Sequence, residues 1–201
     1  MALPIDLLAY LPFAFAVIGT PGPANVVLMA AGARFGMGRV LPLILGVIFG
    51  KQFVIWPLGF GLMGLAAEMP LAFAALKWAS IAYMLYLAWK VAALRIRPGV
   101  VEGAPPGFIA GLIVHPMNPK AWAMVTASFA TFVDPAATTF AATFAVAAAI
   151  LFVQFIMQPL YAIAGDRMAR AVAGTPAERW IMWALAAATV LSVLYVVLKG
   201  G

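Results

Sequence analysis

The chain has 201 residues, of which 66% are hydrophobic and only 9% are charged, and its mean hydropathy is +1.08. Soluble domains are about half apolar and about a quarter charged, so this composition indicates a membrane protein and argues against soluble enzymes and nucleic-acid binders. The chain contains 12 Lys and Arg residues, 6 Asp and Glu residues and no cysteine. Without cysteine, disulfides, thiolate metal sites and cysteine nucleophiles are excluded.

Six membrane-spanning helices fit this length, because one span takes about 20 apolar residues. The N-terminus lacks the basic stretch of a cleavable signal peptide, so we expect the first apolar run to be retained. Continuous apolar runs favour helices over the alternating strands of a membrane β-barrel. Gly46 and Gly50 form a GxxxG pair, which predicts close packing against another helix of the same chain. The predicted spans are 7–30, 41–65, 71–93, 108–133, 136–163 and 180–198.

Basic residues are distributed unevenly between the two ends of these spans. The connections after spans one, three and five carry eight Lys and Arg residues, including those of the polar segment 165–179, which we interpret as an ordinary loop. The opposite side has Lys199 alone. The positive-inside rule therefore places the eight-residue side in the cytoplasm and both termini outside it.

The two halves of the chain share an interruption. Span one is broken near its middle by Thr20-Pro-Gly-Pro-Ala-Asn25, and span four by His115-Pro-Met-Asn-Pro-Lys120. The breaks fall at matching places of two three-helix units, 1–98 and 99–201, within one membrane domain. Because each unit has three spans, the second unit would be inverted in the membrane relative to the first. Paired interruptions of this kind indicate a transporter binding site near the middle of the membrane. Ordinary proline kinks are the alternative.

Two lysines fall at the depth of these breaks. Lys51 lies near the middle of span two and Lys120 follows the break in span four, where a charge costs about 2.5–3.5 kcal/mol on insertion scales. Lys77 lies nearer the end of span three, so its side chain can reach the headgroups. A half-helix N-terminus beside a lysine suits an anion such as a carboxylate. Because no Asp or Glu falls at this depth, we expect a zwitterionic or anionic substrate.

The predicted site therefore combines both breaks with the polar residues of span two. His115 is the candidate for proton coupling, because imidazole exchanges protons near neutral pH, although a lone histidine is often structural. Gln154 and Tyr161 are further candidates. No metal and no cofactor is expected. The predicted substrate-binding residues are Pro21, Gly22, Pro23, Asn25, Lys51, Gln52, Asn118, Pro119 and Lys120.

Several of these segments resemble the LysE/RhtB family of amino-acid exporters. The stretch from Thr20 to Gly36 resembles the amino-terminal signature of that family. The segment Asn118-Pro-Lys-Ala-Trp122, preceded by Gly107-Phe-Ile-Ala-Gly111, is similar to its second signature. The pattern Tyr83-Met-Leu-Tyr-Leu-Ala-Trp-Lys90 resembles its third helix. The resemblance covers most of residues 15–133.

This resemblance implies a multi-pass protein of the bacterial inner membrane that exports amino acids or related metabolites, driven by the proton motive force. Ser80 and Ala88 stand where relatives often have glycine, and Lys51-Gln52 replaces an acidic residue that some exporters of basic amino acids carry. Export of lysine or arginine is therefore not expected. By the resemblance, the first motif contributes Pro21, Gly22, Pro23 and Asn25 to the site, and the second contributes Asn118, Pro119 and Lys120.

Other functional classes fit the sequence less well. A small-solute channel would need a polar lining without bulky apolar residues at the breaks, and a non-catalytic assembly protein would leave two buried lysines unexplained. An enzyme is not expected, because one histidine, no cysteine and no carboxylate at this depth leave little acid/base or metal chemistry. The expected partners are a small-molecule substrate and the lipid bilayer, with no nucleic acid, and a homo-oligomer is left open.

Overall fold

The computed structural model describes residues 4–61, 103–134, 139–172 and 175–199, together with scattered positions between 71 and 89. The described chain is helical, which confirms the predicted all-α class, and two of its residues, Ile5 and Val133, form an isolated antiparallel bridge. A short 3-10 helix, Met37–Val40, precedes α3. The helices are α1 (Leu7–Gly19), α2 (Pro23–Phe35), α3 (Leu41–Gly50), α4 (Gln52–Gly59), α5 (Phe108–Val114), α6 (Pro119–Phe132), α7 (Thr139–Val172) and α8 (Pro176–Lys199).

Two predicted spans correspond to helices that are long and apolar enough to cross a membrane. The 3-10 helix, α3 and α4 together form the apolar stretch Met37–Gly59, and α7 forms another. The pair α1 and α2 is bent by 56° and has the length and composition of a third, either as one broken span or as a re-entrant loop. The predicted span 71–93, including Lys77, lies largely outside the described residues. The count of six spans and the inverted relation of the two halves stay predictions.

The bend between α1 and α2 follows from the residues at 20–23. Pro21 disfavours a helical conformation in the residue before it, so α1 ends at Gly19. Gly22 is extended, with φ −163° and ψ 176°. Pro23 then begins α2, where its missing N–H would have had no partner within the helix.

The helices α5 and α6 are separated in a similar way. The helix α5 ends at Val114, and a turn follows. Asn118 caps α6, because its side-chain oxygen accepts a hydrogen bond of 3.0 Å from the backbone N–H of Lys120. Pro119 occupies the first position of α6. Each half of the chain thus contains a pair of helices of which the second begins with proline.

Two of the hydrophobic clusters among the described residues each contain residues of several helices. One is built from α1, α4, α6 and the first part of α7, and the other from α2, α3, α5 and a later part of α7. The helix pairs α1/α2, α3/α4 and α5/α6 each contribute one member to each cluster. The interruptions between the members of each pair therefore lie at the level where the two clusters meet.

Glycines allow the helices to approach backbone to backbone. In the α3–α5 contact, a Cβ atom at Gly46 would overlap the carbonyl oxygen of Phe108, and one at Gly111 would overlap backbone atoms of α3. The predicted packing of the Gly46 and Gly50 pair within the same chain is confirmed. In the α2–α7 contact, a Cβ at Gly165 would overlap the carbonyl oxygen of Met29.

The connection predicted over 165–179 is wrong in extent. The helix α7 continues to Val172, and α8 begins at Pro176. The segment contains no proline before Pro176, and Asp166 forms an ion pair of 2.9 Å with Arg170 one turn later. With 34 residues at about 1.5 Å each, α7 is longer than the roughly 30 Å hydrocarbon core and extends beyond it.

We predict that Gly165→Ala lowers the apparent unfolding temperature in detergent by several degrees. The added methyl group would push α7 away from Met29, and overpacking of this kind costs about 1–3 kcal/mol. Gly38→Ala is the matched control, since nothing lies within 4 Å of a Cβ atom there. Equal unfolding temperatures for the two variants would contradict the close α2–α7 contact.

Candidate functional site

A small cavity lies where the two hydrophobic clusters meet. It has a volume of about 20 Å³, which is roughly the room that one water molecule needs. Its lining comes from α1, α2, the α3–α4 junction, the α5–α6 turn, α6 and α7. Six predicted site residues line it: Gly22, Asn25, Lys51, His115, Asn118 and Lys120.

The other predicted site residues do not line the cavity. Pro21, Pro23 and Pro119 form the helix breaks beside it. Gln52 points its side-chain oxygen toward Trp56, whose indole N–H donates to it over 3.0 Å. Gln154 and Tyr161 contact residues of the cavity and of the first break, as described below.

Lys120 connects the two breaks across 100 positions of sequence. Its Nζ donates a hydrogen bond of 2.8 Å to the carbonyl oxygen of Thr20. A Cβ atom at Gly22 would lie only 3.1 Å from Cδ and 3.2 Å from Nζ of this lysine. Glycine at position 22 therefore leaves the space that the lysine side chain occupies. The cation also lies at the C-terminal end of α1, where the helix dipole favours positive charge.

The last carbonyl groups of α1 are satisfied by side chains from other segments. Asn25 donates from its amide nitrogen to the carbonyl oxygens of Ile18, at 2.7 Å, and Thr20, at 3.1 Å. The hydroxyl of Tyr161 donates to the carbonyl oxygen of Gly19. These bonds replace the partners that α1 loses where it ends. Asn25 and Tyr161 thus stabilise the conformation of the break.

Lys51 is buried without a strong acceptor. Its side chain is 3% exposed, and its Nζ contacts the sulfur of Met124 at 3.2 Å. A thioether is a weak acceptor. No Asp or Glu is buried in the described part of the chain. Burial of an ammonium group is costly unless it is paired, so this arrangement favours an anion in the cavity.

His115 is held by an amide of α7. Its Nε2 lies 3.0 Å from Nε2 of Gln154. If the amide donates, the imidazole carries its proton on Nδ1. This Nδ1 is buried and has no hydrogen-bond partner among the described residues. His115 therefore lines the cavity with one ring nitrogen still unpaired.

Sequence reasoning missed Gln158. This residue lines the cavity, its side chain is 1% exposed, and its amide oxygen has no partner among the residues described. It follows Gln154 by one helical turn, so both amides face the same side of α7. That spacing, with Pro159 directly after it in the middle of a long helix, is the signal that could have identified it.

A family comparison agrees with these features. Residues 15–200 match the family model described as LysE type translocator. The chain belongs to this family. As a LysE type translocator it is a membrane transporter and not an enzyme.

Individual relatives of this translocator are efflux proteins of enteric bacteria. Cysteine/O-acetylserine efflux proteins match from Shigella flexneri serotype 5b, at 27% identity over 132 residues, and from Klebsiella pneumoniae, at 29% over 135 residues. Each match covers 66% of this chain, and 68% and 67% of the respective relative. No solved structure is significantly similar to this LysE type translocator.

For this translocator we predict that Lys51→Met raises the apparent unfolding temperature. The substitution keeps the length of the side chain and removes a buried ammonium whose placement at the bilayer centre costs about 2.5–3.5 kcal/mol. Thermal unfolding of detergent-purified protein measures the change.

Ile48→Met is the control for this experiment. It introduces the same side chain at a fully buried apolar position of α3. If Lys51→Met destabilises the protein more than Ile48→Met does, the ammonium group is structural, and the interpretation of an unpaired cation is wrong.

Proposed function

We propose that the protein exports amino acids or related small zwitterionic or anionic metabolites across the bacterial inner membrane. The observation that carries this proposal is the cavity that Lys51 and Lys120 line together, with no buried carboxylate in the described part of the chain. A substrate carboxylate would give Lys51 the acceptor that Met124 supplies only weakly. Lys120 would turn from the carbonyl oxygen of Thr20 to the same carboxylate.

Small neutral amino acids are the substrates that we propose first. The relatives named above are described as efflux proteins for cysteine and O-acetylserine, which carry one carboxylate and one ammonium group. The apolar part of the cavity lining is built from small and medium-sized side chains, such as Val17, Ala24 and Ala121. Such a lining suits a short side chain better than a long or charged one.

Alternating access between the two halves is the mechanism we propose. The helices α1 and α2 of the first half pack on α7 of the second, whereas α5 and α6 of the second pack on α3 and α4 of the first. Two inverted units, 1–98 and 99–201, would exchange contacts in this reciprocal way. Since the cavity has room for about one water molecule, we propose that the hydrophobic clusters separate on one side to admit substrate.

We propose that the proton motive force drives export and that His115 couples it. The imidazole lines the same cavity as both lysines, so its protonation would change the positive charge that a carboxylate meets. The proposed orientation has both termini outside the cytoplasm. In this orientation, the cytoplasmic end of the protein would contain Arg34 and Arg39, near the end of α2. It would also contain the extension of α7 with Arg167 and Arg170. Gly36 lies close to Asp166, which supports a common end for these segments.

We predict that Lys120→Met abolishes export while the protein still inserts and folds. Proteoliposomes are preloaded with a mixture of labelled neutral, acidic and basic amino acids, and efflux is followed under an imposed proton gradient. The wild-type protein should release neutral amino acids selectively. The variant loses both the charge that meets the carboxylate and the link to Thr20, so its efflux should fall to that of empty liposomes.

Lys199→Met is the matched control, because it makes the same substitution at the last residue of α8. It should export as the wild type does. Efflux by Lys120→Met at the wild-type rate would contradict the role of Lys120. No efflux of any amino acid from the wild type would contradict the proposed function itself, and flux that neither saturates nor follows the gradient would indicate a channel.

A further inference from the structure

Among the residues that line the cavity, Gln158 alone has a buried side-chain oxygen without a hydrogen-bond partner in the described part of the chain. The amide oxygen of Gln158 is buried and unpaired, and its residue lines the cavity. The two asparagines of the cavity differ from it. Asn25 donates to the carbonyl groups at the end of α1, and the side-chain oxygen of Asn118 caps α6. Gln158 is therefore available to a ligand in a way that the oxygen of Asn118 is not.

A buried amide oxygen without a partner costs free energy unless something supplies a donor. Water could do so, but the same cavity also holds two ammonium groups, those of Lys51 and Lys120. A bound amino acid brings a carboxylate for these lysines and an ammonium group with three N–H donors. The lysines cannot bind that ammonium group, since they have the same charge and accept no hydrogen bond.

We propose that Gln158 accepts a hydrogen bond from the ammonium group of the substrate and so selects amino acids over carboxylates without an amine. This inference rests on the proposed function. A neutral acceptor suits the position, because an Asp or Glu there would pair with Lys51 and remove the positive charge that the substrate carboxylate needs. The uncharged amide binds one end of the zwitterion without cancelling the site for the other.

The experiment compares L-cysteine with 3-mercaptopropionate, which keeps the carboxylate and the thiol but has no amine. Efflux of each labelled compound is measured under reducing conditions from proteoliposomes that contain the wild type or Gln158→Met. A hydrogen bond to a charged group contributes enough that its loss should lower kcat/KM for cysteine about 10- to 100-fold. The value for 3-mercaptopropionate should stay within about 3-fold of the wild type, because that compound never makes this bond.

Thr143→Val is the control, since it removes a buried hydroxyl of the same helix that donates to the carbonyl oxygen of Thr139 and does not line the cavity. It should leave the ratio of the two kcat/KM values unchanged. If Gln158→Met does not fold, the wild type decides the question. Because only L-cysteine can donate an ammonium hydrogen bond to Gln158, the wild type should prefer it over 3-mercaptopropionate by about 10- to 100-fold in kcat/KM.

Three outcomes would overturn the inference. Cysteine efflux by Gln158→Met at the wild-type rate would do so, as would an equal loss for both compounds or equal kcat/KM values of the wild type for the two compounds. In each of these cases export by the wild type and its loss in Lys120→Met would leave the proposed function standing. If the folded wild type exports no amino acid, the proposed function fails, and this inference fails with it.

Discussion

Backbone groups exposed by broken helices must find partners inside the protein, because a bilayer offers none. In this chain the breaks after α1 and after α5 lie at one level, between two hydrophobic clusters. The carbonyl groups that α1 exposes bind Asn25, Lys120 and Tyr161, and the first turn of α6 is capped by Asn118. Polar side chains are therefore concentrated at this level, and the cavity between them is a consequence of satisfying the breaks.

Close helix contacts make this arrangement possible. The glycines of the α3–α5 and α2–α7 contacts let backbones touch, which brings segments from both halves of the chain to the same cavity. Lys51 enters from the α3–α4 junction and Gln158 from α7, beside Pro159. Three helix pairs are thus interrupted at one depth, whereas α7 is continuous. Elsewhere the described core is apolar except for hydroxyls such as those of Ser128 and Thr143, which donate to backbone carbonyl groups of their own helices.

Much of this arrangement is readable from the sequence because it depends on local chemistry. Proline and glycine determine where α1 ends and α2 begins, whatever surrounds them. A lysine inside an apolar run is also recognisable from its immediate neighbours, so Lys51 and Lys120 are identifiable as candidate site residues from the sequence. The GxxxG pair of α3 predicts close helix packing because its residues are small, although the sequence does not show that α5 is the helix that packs against it.

What the sequence did not reveal depends on partners that are distant along the chain. Asn25 is identifiable as polar, but its bonds to Ile18 and Thr20 require the bend to be known. Gln158 resembles any glutamine that joins two helices until its oxygen is found unpaired at the cavity. The length of α7 differs from the prediction, because polar residues such as Asp166 and Arg170 indicate the end of a membrane span, whereas a helix can continue into water.

The proposed function requires the cationic cavity to recognise a carboxylate. Counterflow of labelled L-cysteine in proteoliposomes tests it directly, with unlabelled L-cysteine or its amide as competitor. Cysteinamide keeps the amine and the thiol but replaces the carboxylate with a neutral group that Lys51 and Lys120 cannot pair with. L-cysteine should compete, and cysteinamide should not. Equal competition by the two compounds would contradict this recognition.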